Sequence, residues 1–377
     1  MKLTRFSQYG FPFHPPGAAL GNPVMHRLRG AGRRGVYAGH PGWKRLAAKA
    51  AMLTLWPFGA AGTALRAGRH HRAAPTRMLD AWRLALRHNV PPLEYFLHRL
   101  WEPQRRARLD DYLYWHENSA VLMALNRAAG WQPGEDAVSD KRLFHAFCKA
   151  QDLPTPEIYP WQPGGALPQR DLWLKPTRAK SAIGAERWRW RDAAYHRNGQ
   201  SLPPAQMNAH IAAHAQTHGD TLVQVTILAH PDHAPRIGDA PLCARIVTGR
   251  RKNGTVEIID AMAMWPRNGR VVTQGGDCAM INTGTGRIGP TYQAPGRPAA
   301  NDIEDMVLQD WPAALNAVRR GHAALPHYVF LGWDVAFGPD GPTLLETNSG
   351  WGAFHFQLVP DHPIADTAFA AIAAEYL

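Results

Sequence analysis

Three oxygen-bearing side chains lie close together near the end of the sequence, in the stretch GWDVAFGPDGPTLLETNSGWG. Asp334 comes before a Pro-Asp-Gly turn at 339–341, and Glu346 and Asn348 come after it. If the flanking runs form a hairpin, Asp334 pairs with about Glu346, and all three side chains can converge on one face. Two carboxylates and an amide oxygen, without His or Cys, are a hard ligand set suited to Mg²⁺ or Mn²⁺. The alternative is a hairpin whose polar end is solvated and carries no chemistry.

The segment from residue 136 onward contains the elements that must position these side chains. The runs DLWLKPT, AERWRWRD, TLVQVTI, LCARIVTGR, TVEIIDAMAMW and GRVVTQ are typical of strands, and Asn253-Gly254 predicts a hairpin between the fourth and the fifth. A helix is predicted for DKRLFHAFCKAQ, capped by Ser139 or Asp140, and another ends at Gly219. NDIEDMVLQDWPAALNAVRRGHAAL predicts further helix, and YVFLGWDVAF with PTLLETN predicts a closing strand pair. This mixture favours an α+β fold with antiparallel pairs over strictly alternating strands and helices.

The positive charge of the chain is concentrated in its first third. Residues 1–135 contain 20 Lys and Arg against 7 Asp and Glu, whereas the remaining residues contain 22 against 23. Residues 1–40 are rich in Gly, Pro and Arg and predict a loop or tail, and residues 41–135 have the apolar periodicity of helices. This segment lacks aromatic stacking motifs and a recognisable DNA-binding helix pair, so we expect no nucleic-acid partner.

One uncharged stretch within this region is long enough to raise the question of membrane binding. It runs for 16 residues from Ala50 to Leu65 and contains Pro57, whereas a spanning helix needs about 20 apolar residues. Basic residues flank it on both sides. It can lie on an anionic membrane surface or form a buried helical hairpin, and the sequence leaves both open.

Cysteine usage and the N-terminus favour a cytoplasmic location. Cys148, Cys243 and Cys278 are far apart and have no CxxC spacing, which argues against a zinc site or a disulfide scaffold. The first 20 residues lack the apolar run of a secretory signal. We therefore expect a cytoplasmic protein, with peripheral binding to the inner face of the membrane as the alternative that the basic region leaves open.

The order and spacing of several motifs resemble the ATP-grasp superfamily over about residues 138–352. The metal site of that family has an Asp or Glu on one strand and Glu-x-Asn on the next, as Asp334, Glu346 and Asn348 are arranged here. The pattern LVQ … H … ARIVT … QGG … WDVA … ETNSG is most similar to the branch associated with sugar transfer and found with polysaccharide biosynthesis.

The resemblance implies roles for a further set of residues. Lys141 would contact ATP phosphate, Lys175 would reach the α- and β-phosphates, and Arg245 would contact the transferring phosphoryl group, the last two as catalytic residues. The other ATP-binding residues would be Ser181 and Gly184 in a flexible loop, Gln224, Val225 and Ile227 in the strand joining the two halves, and His230 near the ribose. Gln224 stands where many members have Glu. A loop on the acceptor side would include Gly275, Gly276, Asp277 and Asn282.

The resemblance also implies a fold and an activity. The expected architecture is an α+β ATP-grasp fold, in which two α+β subdomains grip ATP after a basic all-helical region. Its expected boundaries are a tail over 1–40, a helical region over 41–135, a first subdomain over 136–222 and a second over 223–377. The implied activity is an ATP- and Mg²⁺-dependent ligase that joins a carboxylate to an amine through an acyl phosphate, in cell-surface polysaccharide or glycoconjugate biosynthesis. An anionic membrane surface or a glycan would be the partner of residues 41–135.

Two other functions remain compatible with these residues, and one is excluded. A kinase that transfers phosphate to a hydroxyl group uses the same phosphate-binding groups, and a basic membrane-associated adaptor would need only the N-terminal region. Gly284, Gly286 and Gly289 match a GxGxxG pattern, but strands precede them and Pro290 follows. A dinucleotide-binding site needs a helix there, so the pattern does not indicate one.

Overall fold

The computed structural model describes residues 19–35, 41–134, 136–178, 183–266, 276–293, 297–298, 303–359 and 361–377. The helices are α1 (Pro23–Gly35), α2 (Gly42–His70), α3 (Pro75–His88), α4 (Pro92–Leu97), α5 (Pro103–Arg106), α6 (Trp115–Ala128), α7 (Lys141–Ala150), α8 (Pro204–His218), α9 (Ala234–Ile237), α10 (Trp311–Ala323), α11 (Ala353–Leu358) and α12 (Phe369–Ala374). Short 3₁₀ turns occupy Leu109–Asp111 and Ile364–Asp366. The strands are β1 (Ile158–Tyr159), β2 (Leu172–Pro176), β3 (Glu186–Arg191), β4 (Ala194–Arg197), β5 (Gln200–Leu202), β6 (Thr221–Val225), β7 (Leu242–Arg250), β8 (Val256–Trp265), β9 (Asp277–Ile281), β10 (Ile288–Gln293), β11 (Arg297–Pro298), β12 (Phe330–Gly338) and β13 (Gly341–Asn348).

The strands form two antiparallel sheets that follow a helical N-terminal region, so the predicted α+β class is confirmed. The smaller sheet has six strands in the order β1-β6-β2-β3-β4-β5. Leu172, Leu174 and Val223 point to one of its faces and pack with Met207 and Ile211 of α8. Because side chains alternate along a strand, the other face of β2 and β6 carries different residues, and these belong to the candidate site described below.

The larger sheet has seven strands in the order β11-β10-β9-β8-β7-β12-β13. One face packs against α10 through a core that includes Ile246, Val335 and Trp311. The opposite face packs against the N-terminal helices and the C-terminal segment through a second core that includes Val247 and Phe330. The two faces of β7 are therefore both covered, and residues 246–249 of this strand are all buried.

Local signals in the sequence determine several element ends. Asp140 caps α7 by accepting hydrogen bonds from the backbone N–H groups of Arg142 (2.8 Å) and Leu143 (3.2 Å), so of the two predicted caps it is Asp140 that acts. Helix α8 ends at Gly219, whose φ of +85° is a conformation that glycine adopts without strain. The predicted β7–β8 hairpin also forms.

The predicted loop or tail over residues 1–40 is wrong in its second half, because α1 occupies Pro23–Gly35. This helix is held by tertiary contacts that composition does not reveal. Arg29 is 4% exposed, donates from Nε to both carboxylate oxygens of Glu117 (2.8 and 3.0 Å), pairs with Asp110 and donates to the carbonyl of Tyr112 (2.8 Å). Burial alone would lower the pKa of Arg29, but the two carboxylates outweigh it and raise the pKa above its ordinary value. The structure therefore holds α1 to the chain around Asp110 and Glu117.

Two other predicted elements differ from, or lie outside, the described structure. The helical pattern predicted over residues 41–135 is interrupted near its end, because the chain is extended at Tyr112 before α6 starts at Trp115. The N–H and carbonyl groups of Leu113 bond to the side chain of Gln357 instead of to a helix. The strand predicted for GRVVTQ, at 269–274, lies outside the described residues.

Helix α2 contains the uncharged stretch and is long, with 29 residues. Among the helices that the structure describes, neither α2 nor any other combines the length and apolar character needed to cross a bilayer.

The buried Arg29 cluster yields a stability prediction. Replacing Arg29 with Ala removes the only guanidinium in contact with Glu117 among the described residues. The buried carboxylates of Asp110 and Glu117 then both lose their ion pair with Arg29. We expect Arg29→Ala to lower the free energy of unfolding by about 3–5 kcal/mol, the usual effect of breaking a buried ion pair. Urea denaturation measures this. Arg27→Ala, at an exposed position of the same helix, should change stability by less than about 0.5 kcal/mol, and equal effects of the two substitutions would contradict the role of Arg29.

Candidate functional site

A row of charged side chains crosses three neighbouring strands of the larger sheet. Arg245 in β7 pairs directly with Asp334 in β12, and Asp334 pairs with Glu346 in β13. Directly paired residues point to the same face, so the predicted pairing of Asp334 with about Glu346 is confirmed. It is reached through a β-bulge between Asp334 and Val335, which shifts the hairpin register by one residue. Arg245 donates from Nε to Oδ1 of Asp334 (2.7 Å) and from Nη2 to Oδ2 (2.8 Å), a bidentate ion pair.

Helix α7 brings a second cation to this row. Lys141 is the first residue of α7, directly after the Asp140 cap, and its backbone N–H donates to the carbonyl of Thr177 (3.1 Å). Its Nζ lies 3.3 Å from Oε2 of Glu346. Asn348 donates from Nδ2 to Oε1 of the same glutamate (3.2 Å). Lys141 and Asn348 thus meet at Glu346.

The smaller sheet supplies a third cation. Lys175 in β2 pairs with Leu222 in β6, and Trp173 pairs with Gln224, so Lys175 and Gln224 share the face away from α8. Lys141, Lys175 and Gln224 line the same cavity, which also meets β13 at Leu345 and has a volume of about 10 Å³. The two sheets therefore face each other across a narrow gap at these residues.

The charges of the site act on one another. Burial raises the pKa of Asp334 above its ordinary value, and Arg245 opposes this rise. Burial acts on Glu346 in the same direction, but Lys141 and Lys175 outweigh it and hold the pKa of Glu346 below its ordinary value. Burial lowers the pKa of Lys175 to about 8. Three cations thus surround two carboxylates.

The donor set can be tested for its fit to a divalent cation. Among the described residues no three His, Cys, Asp or Glu side chains gather as a metal site, and the set here is two carboxylates with an amide. Each oxygen of Asp334 accepts one bond from Arg245 and retains a second lone pair. Rotation of the Asn348 amide by half a turn would present its oxygen where its nitrogen now lies. Asp334, Glu346 and Asn348 therefore fit Mg²⁺, a cation that prefers oxygen ligands and keeps water or phosphate oxygens at its other positions.

Of the other predicted nucleotide-binding residues, those that the structure describes lie beside β2, at the end of β6 and in the loop after β6. Ser181 lies outside the described residues. Gly184 has a φ of +73°, and a Cβ there would come within 2.9 Å of Pro176 in β2, so this position favours glycine. Val225 ends β6, and Ile227 approaches Gly338 at the hairpin end.

His230 lies farther along the loop that begins at Ile227. Its Nδ1 accepts a hydrogen bond from the backbone N–H of Asp232 (3.2 Å). The ring of His233 lies 5.1 Å from the ring of His230, and burial lowers the pKa of His233 to about 4. His230 therefore contacts residues of its own loop.

The predicted acceptor-side residues do not lie together. Gly275 is outside the described residues, and Gly276 directly precedes β9. Asp277 pairs with Trp265, which points into the core under α10, so its side chain lies on the face opposite Arg245. Asn282 accepts hydrogen bonds from the N–H groups of Gly284 and Thr285 (3.0 Å each). It lines a second cavity, which Asp277 does not line.

This second cavity contains a residue that sequence reasoning missed. It has a volume of about 340 Å³ and is lined by Asp260, Met280, Ile281, Asn282, Arg287, Ile288, Gly289, Asp305 and His362. Asp260 is 8% exposed, and its Oδ1 accepts a hydrogen bond from the backbone N–H of Ala261 (2.9 Å). Burial raises the pKa of Asp260 to about 7. The signal was present in the run TVEIIDAMAMW, where one Asp interrupts an apolar strand.

Comparisons with known proteins found distant structural similarities. No family model and no curated protein matches the sequence. An L-amino acid ligase from Bacillus licheniformis matches over 68% of this chain and 53% of its own, at 12% identity and a TM-score of 0.40. D-alanyl-alanine synthetase A from Vibrio cholerae matches over 63% of each chain, at 12% identity and a TM-score of 0.38.

A third solved structure is similar to this chain at a comparable level. D-alanine-D-alanine ligase from Helicobacter pylori matches over 63% of this chain and 61% of its own, at 11% identity and a TM-score of 0.38. The match thus spans between 53% and 63% of these three proteins. At such TM-scores the likeness assigns neither a family nor an activity to this chain, and a function must be argued from the site itself.

The environment of Asp260 predicts how stability depends on pH. Its pKa is raised on folding from 3.8 to about 7, so the unfolded chain binds fewer protons between these values, and folding loses stability as pH rises from about 4 through 7. Asp260→Asn removes this loss. We expect the variant to match the wild type near pH 4 and to exceed it at pH 8 by up to about 4 kcal/mol. Urea denaturation at both pH values measures the difference, and a variant less stable at pH 8 would contradict the buried state of Asp260.

Proposed function

We propose that this protein is an ATP- and Mg²⁺-dependent ligase of the ATP-grasp type, which joins a carboxylate to an amine through an acyl phosphate. The observation that carries the proposal is the meeting of Lys141 and Arg245 with Glu346 and Asp334, from elements far apart in the chain. Lys175 adds a third positive charge beside these two carboxylates. Phosphoryl transfer requires this combination, because fixed cations must surround the triphosphate and a metal must bridge its oxygens.

The residues of the chain would divide the work of the first step. A bound Mg²⁺ would neutralise charge on the β- and γ-phosphates. Asp334, Glu346 and Asn348 would hold that ion. The ammonium group of Lys141 would then give up its contact with Glu346, because like charges repel, and would be left for phosphate. Arg245 would contact the transferring phosphoryl group while remaining oriented by Asp334. Donors fixed before the reaction stabilise developing charge without reorganising at the moment of transfer.

Lys175 would contribute through its burial. A buried ammonium group with a lowered pKa lacks solvation, so phosphate oxygens would replace the missing water and favour the charged form. The gap at Lys141, Lys175 and Gln224 has a volume of about 10 Å³, which is too small for a nucleotide. The sheets or the adjoining loops must therefore separate when ATP enters, and closure would exclude water from the reaction.

The second step would form the amide. The carboxylate oxygen attacks the γ-phosphorus and ADP leaves, and the amine nitrogen then attacks the carbonyl carbon while phosphate leaves with that oxygen. No nucleophilic side chain is needed, because ATP supplies the activation. A kinase would use the same phosphate-binding groups, so product analysis separates the two: free phosphate with an amide supports the ligase, and a phosphorylated acceptor without free phosphate supports the kinase.

The finer setting of the reaction is also a proposal. The pattern from LVQ to ETNSG supports a role in polysaccharide or glycoconjugate biosynthesis, in the cytoplasm. Uronic acids and amino acids are accordingly the first compounds to screen for ADP release. The division into a helical region and two subdomains at 135/136 and 222/223 is part of the same proposal.

We further propose that α2 binds an anionic membrane surface. Trp43 is 69% exposed and Phe58 is 78% exposed, and Leu65 lies one heptad beyond Phe58 on the same side of the helix. Arg66 and Arg69 are exposed beside them. An apolar row flanked by basic residues is typical of helices that lie in the membrane interface.

The membrane proposal predicts the result of vesicle flotation. We expect the protein to float with vesicles containing phosphatidylserine and not with vesicles of phosphatidylcholine alone, and we expect Phe58→Glu to lose most of the bound fraction. Leu228→Glu, at an exposed leucine of the loop after β6, is the control and should bind as the wild type does. Equal flotation of the Phe58→Glu protein would overturn the proposal.

The nucleotide site predicts how Mg²⁺ affects stability. Ligand at about 100 times its dissociation constant stabilises a protein by about 2.7 kcal/mol, so Mg·ATP should raise the melting temperature of the wild type by a few degrees more than ATP with EDTA. In Glu346→Ala this difference between Mg²⁺ and EDTA should disappear, and ADP release should be lost. Asp340→Asn changes an exposed carboxylate at the turn of the same hairpin and should keep both. Unchanged ATP turnover in Glu346→Ala would refute the assignment.

A further inference from the structure

The cavity at Asp260 opens on the same face of the larger sheet as the charged row. Asp260 in β8 pairs with Val247 in β7, two residues from Arg245, and Arg245 itself pairs with Met262. Asp260 is therefore a diagonal neighbour of Arg245 on one face, with Cα atoms about 7–8 Å apart. A ligand in this cavity would lie beside the position at which Arg245 would contact a phosphoryl group.

Asp260 lacks a counter-charge in the described structure. Its Oδ1 accepts the N–H of Ala261, and no other hydrogen bond or ion pair of Asp260 is formed with a described residue. The guanidinium of Arg287, which also lines the cavity, is more than half exposed and contacts Asp305, with its Nη1 3.4 Å from Oδ1. A carboxylate that is more than nine-tenths buried requires a cation or a donor to compensate for lost solvation. The cavity beside Asp260 has room for a ligand that supplies this cation or donor.

We propose that this cavity binds the amine substrate and that the Asp260 carboxylate receives its primary ammonium group. This inference rests on the ligase function proposed above, and it assigns to that reaction its second substrate site. A volume of about 340 Å³ suits a small molecule. Asp260 is a carboxylate in an apolar setting that includes Met280 and Ile288, so it selects a charged amine over a hydroxyl group of the same shape.

Asp260 also serves the chemistry of amide formation. The ammonium group must lose a proton before its nitrogen can attack the acyl phosphate, and a carboxylate hydrogen-bonded to it takes that proton. The nitrogen–carbon bond then forms, the carbon–oxygen bond to the phosphoryl group breaks, and the leaving phosphate takes the second proton from the nitrogen. A base works best when its pKa lies near the working pH, and burial places the pKa of Asp260 at about 7.

Other charged groups face the cavity and contribute to the pH dependence of amine binding there. Arg287, Asp305 and His362 line it together with Asp260, and Arg245 lies one diagonal step away. The Nδ1 of His362 lies 3.2 Å from the carbonyl oxygen of Pro363. A pH profile is therefore interpreted by comparing variants at Asp260 and not from the wild type alone.

The first test measures amine binding to the full chain by calorimetry at pH 8, with and without a non-hydrolysable Mg·ATP analogue. The probes are the common L-amino acids, their D-enantiomers and simple aliphatic amines, each compared with the analogue in which hydroxyl replaces the amine. We expect at least one amine to bind, its hydroxyl analogue to bind at least tenfold more weakly, and Asp260→Asn to weaken the amine at least tenfold, the usual effect of losing a hydrogen bond to a charged group. Glu257→Gln, which removes a partly exposed carboxylate from the same strand, is the matched control and should bind as the wild type does.

The second test measures ADP release as a function of amine concentration and pH. Asp260→Asn should lose amine-dependent release while keeping its stabilisation by Mg·ATP, and Asp260→Glu should restore part of the release with a shifted pH profile. If no amine of the panel binds the wild type, or if Asp260→Asn binds or turns over amines as the wild type does, the proposal is wrong. Absence of any Mg·ATP effect on the wild type would instead refute the ligase function, and amine binding that still depends on Asp260 would keep the cavity assignment.

Discussion

The ion pair between Arg245 and Asp334 is the constraint on which the candidate site depends. Arg245 is held by two hydrogen bonds to Asp334 on the central part of the larger sheet, and Asp334 stands beside Glu346 on the next strand. A carboxylate pair in this setting is unfavourable without cations. Arg245, Lys141 and Lys175 supply them, so three positive charges face two negative ones.

The antiparallel order of the larger sheet gives this arrangement its rigidity. Strand β7 lies between β8 and β12, so Arg245 has Met262 on one side and Asp334 on the other. Gly332, next to Asp334 on the same face, leaves space that Trp351 fills, because a Cβ there would overlap the tryptophan. Strand alternation thus sets both the charged row and the neighbouring Asp260 on one surface, and the packing of Trp351 closes part of that surface to solvent.

The N-terminal region is tied to the same surface. Met25 and Leu28 of α1 and Leu122 of α6 belong to the core that includes Val247 and Phe330. The helices therefore cover the sheet face that carries Arg245 and Asp334, and the covered part begins at Val247, two residues along β7 from Arg245. This contact packs α1 against the larger sheet. In α2, by contrast, the side chain of Phe58 stays exposed.

The sequence by itself determined what depends on neighbours along the chain. The turn at 339–341 fixes the first pairs of its hairpin, and Asp140 and Gly219 marked the ends of helices, because hairpins and caps are local interactions. The turn register alone would pair Asp334 with Leu345, and a β-bulge between Asp334 and Val335 shifts it by one residue so that Asp334 pairs with Glu346. The order of Lys141, Lys175, Arg245 and the acidic hairpin predicted a nucleotide site by resemblance, and the structure brings these residues together. Contacts between distant segments were decided only by the tertiary structure.

Arg29 in a segment of loop-like composition becomes buried because Asp110 and Glu117, more than 80 residues away, surround it. Asp260 looked like one polar residue in an apolar strand, and its importance depends on strands β9 and β10 and residue His362, which together enclose a cavity around it. The pairing of β7 with β12 likewise joins residues 89 positions apart, as in Arg245 and Asp334. Such neighbours are brought together by the burial of both sheet faces, a property of the whole fold that no single stretch of sequence contains.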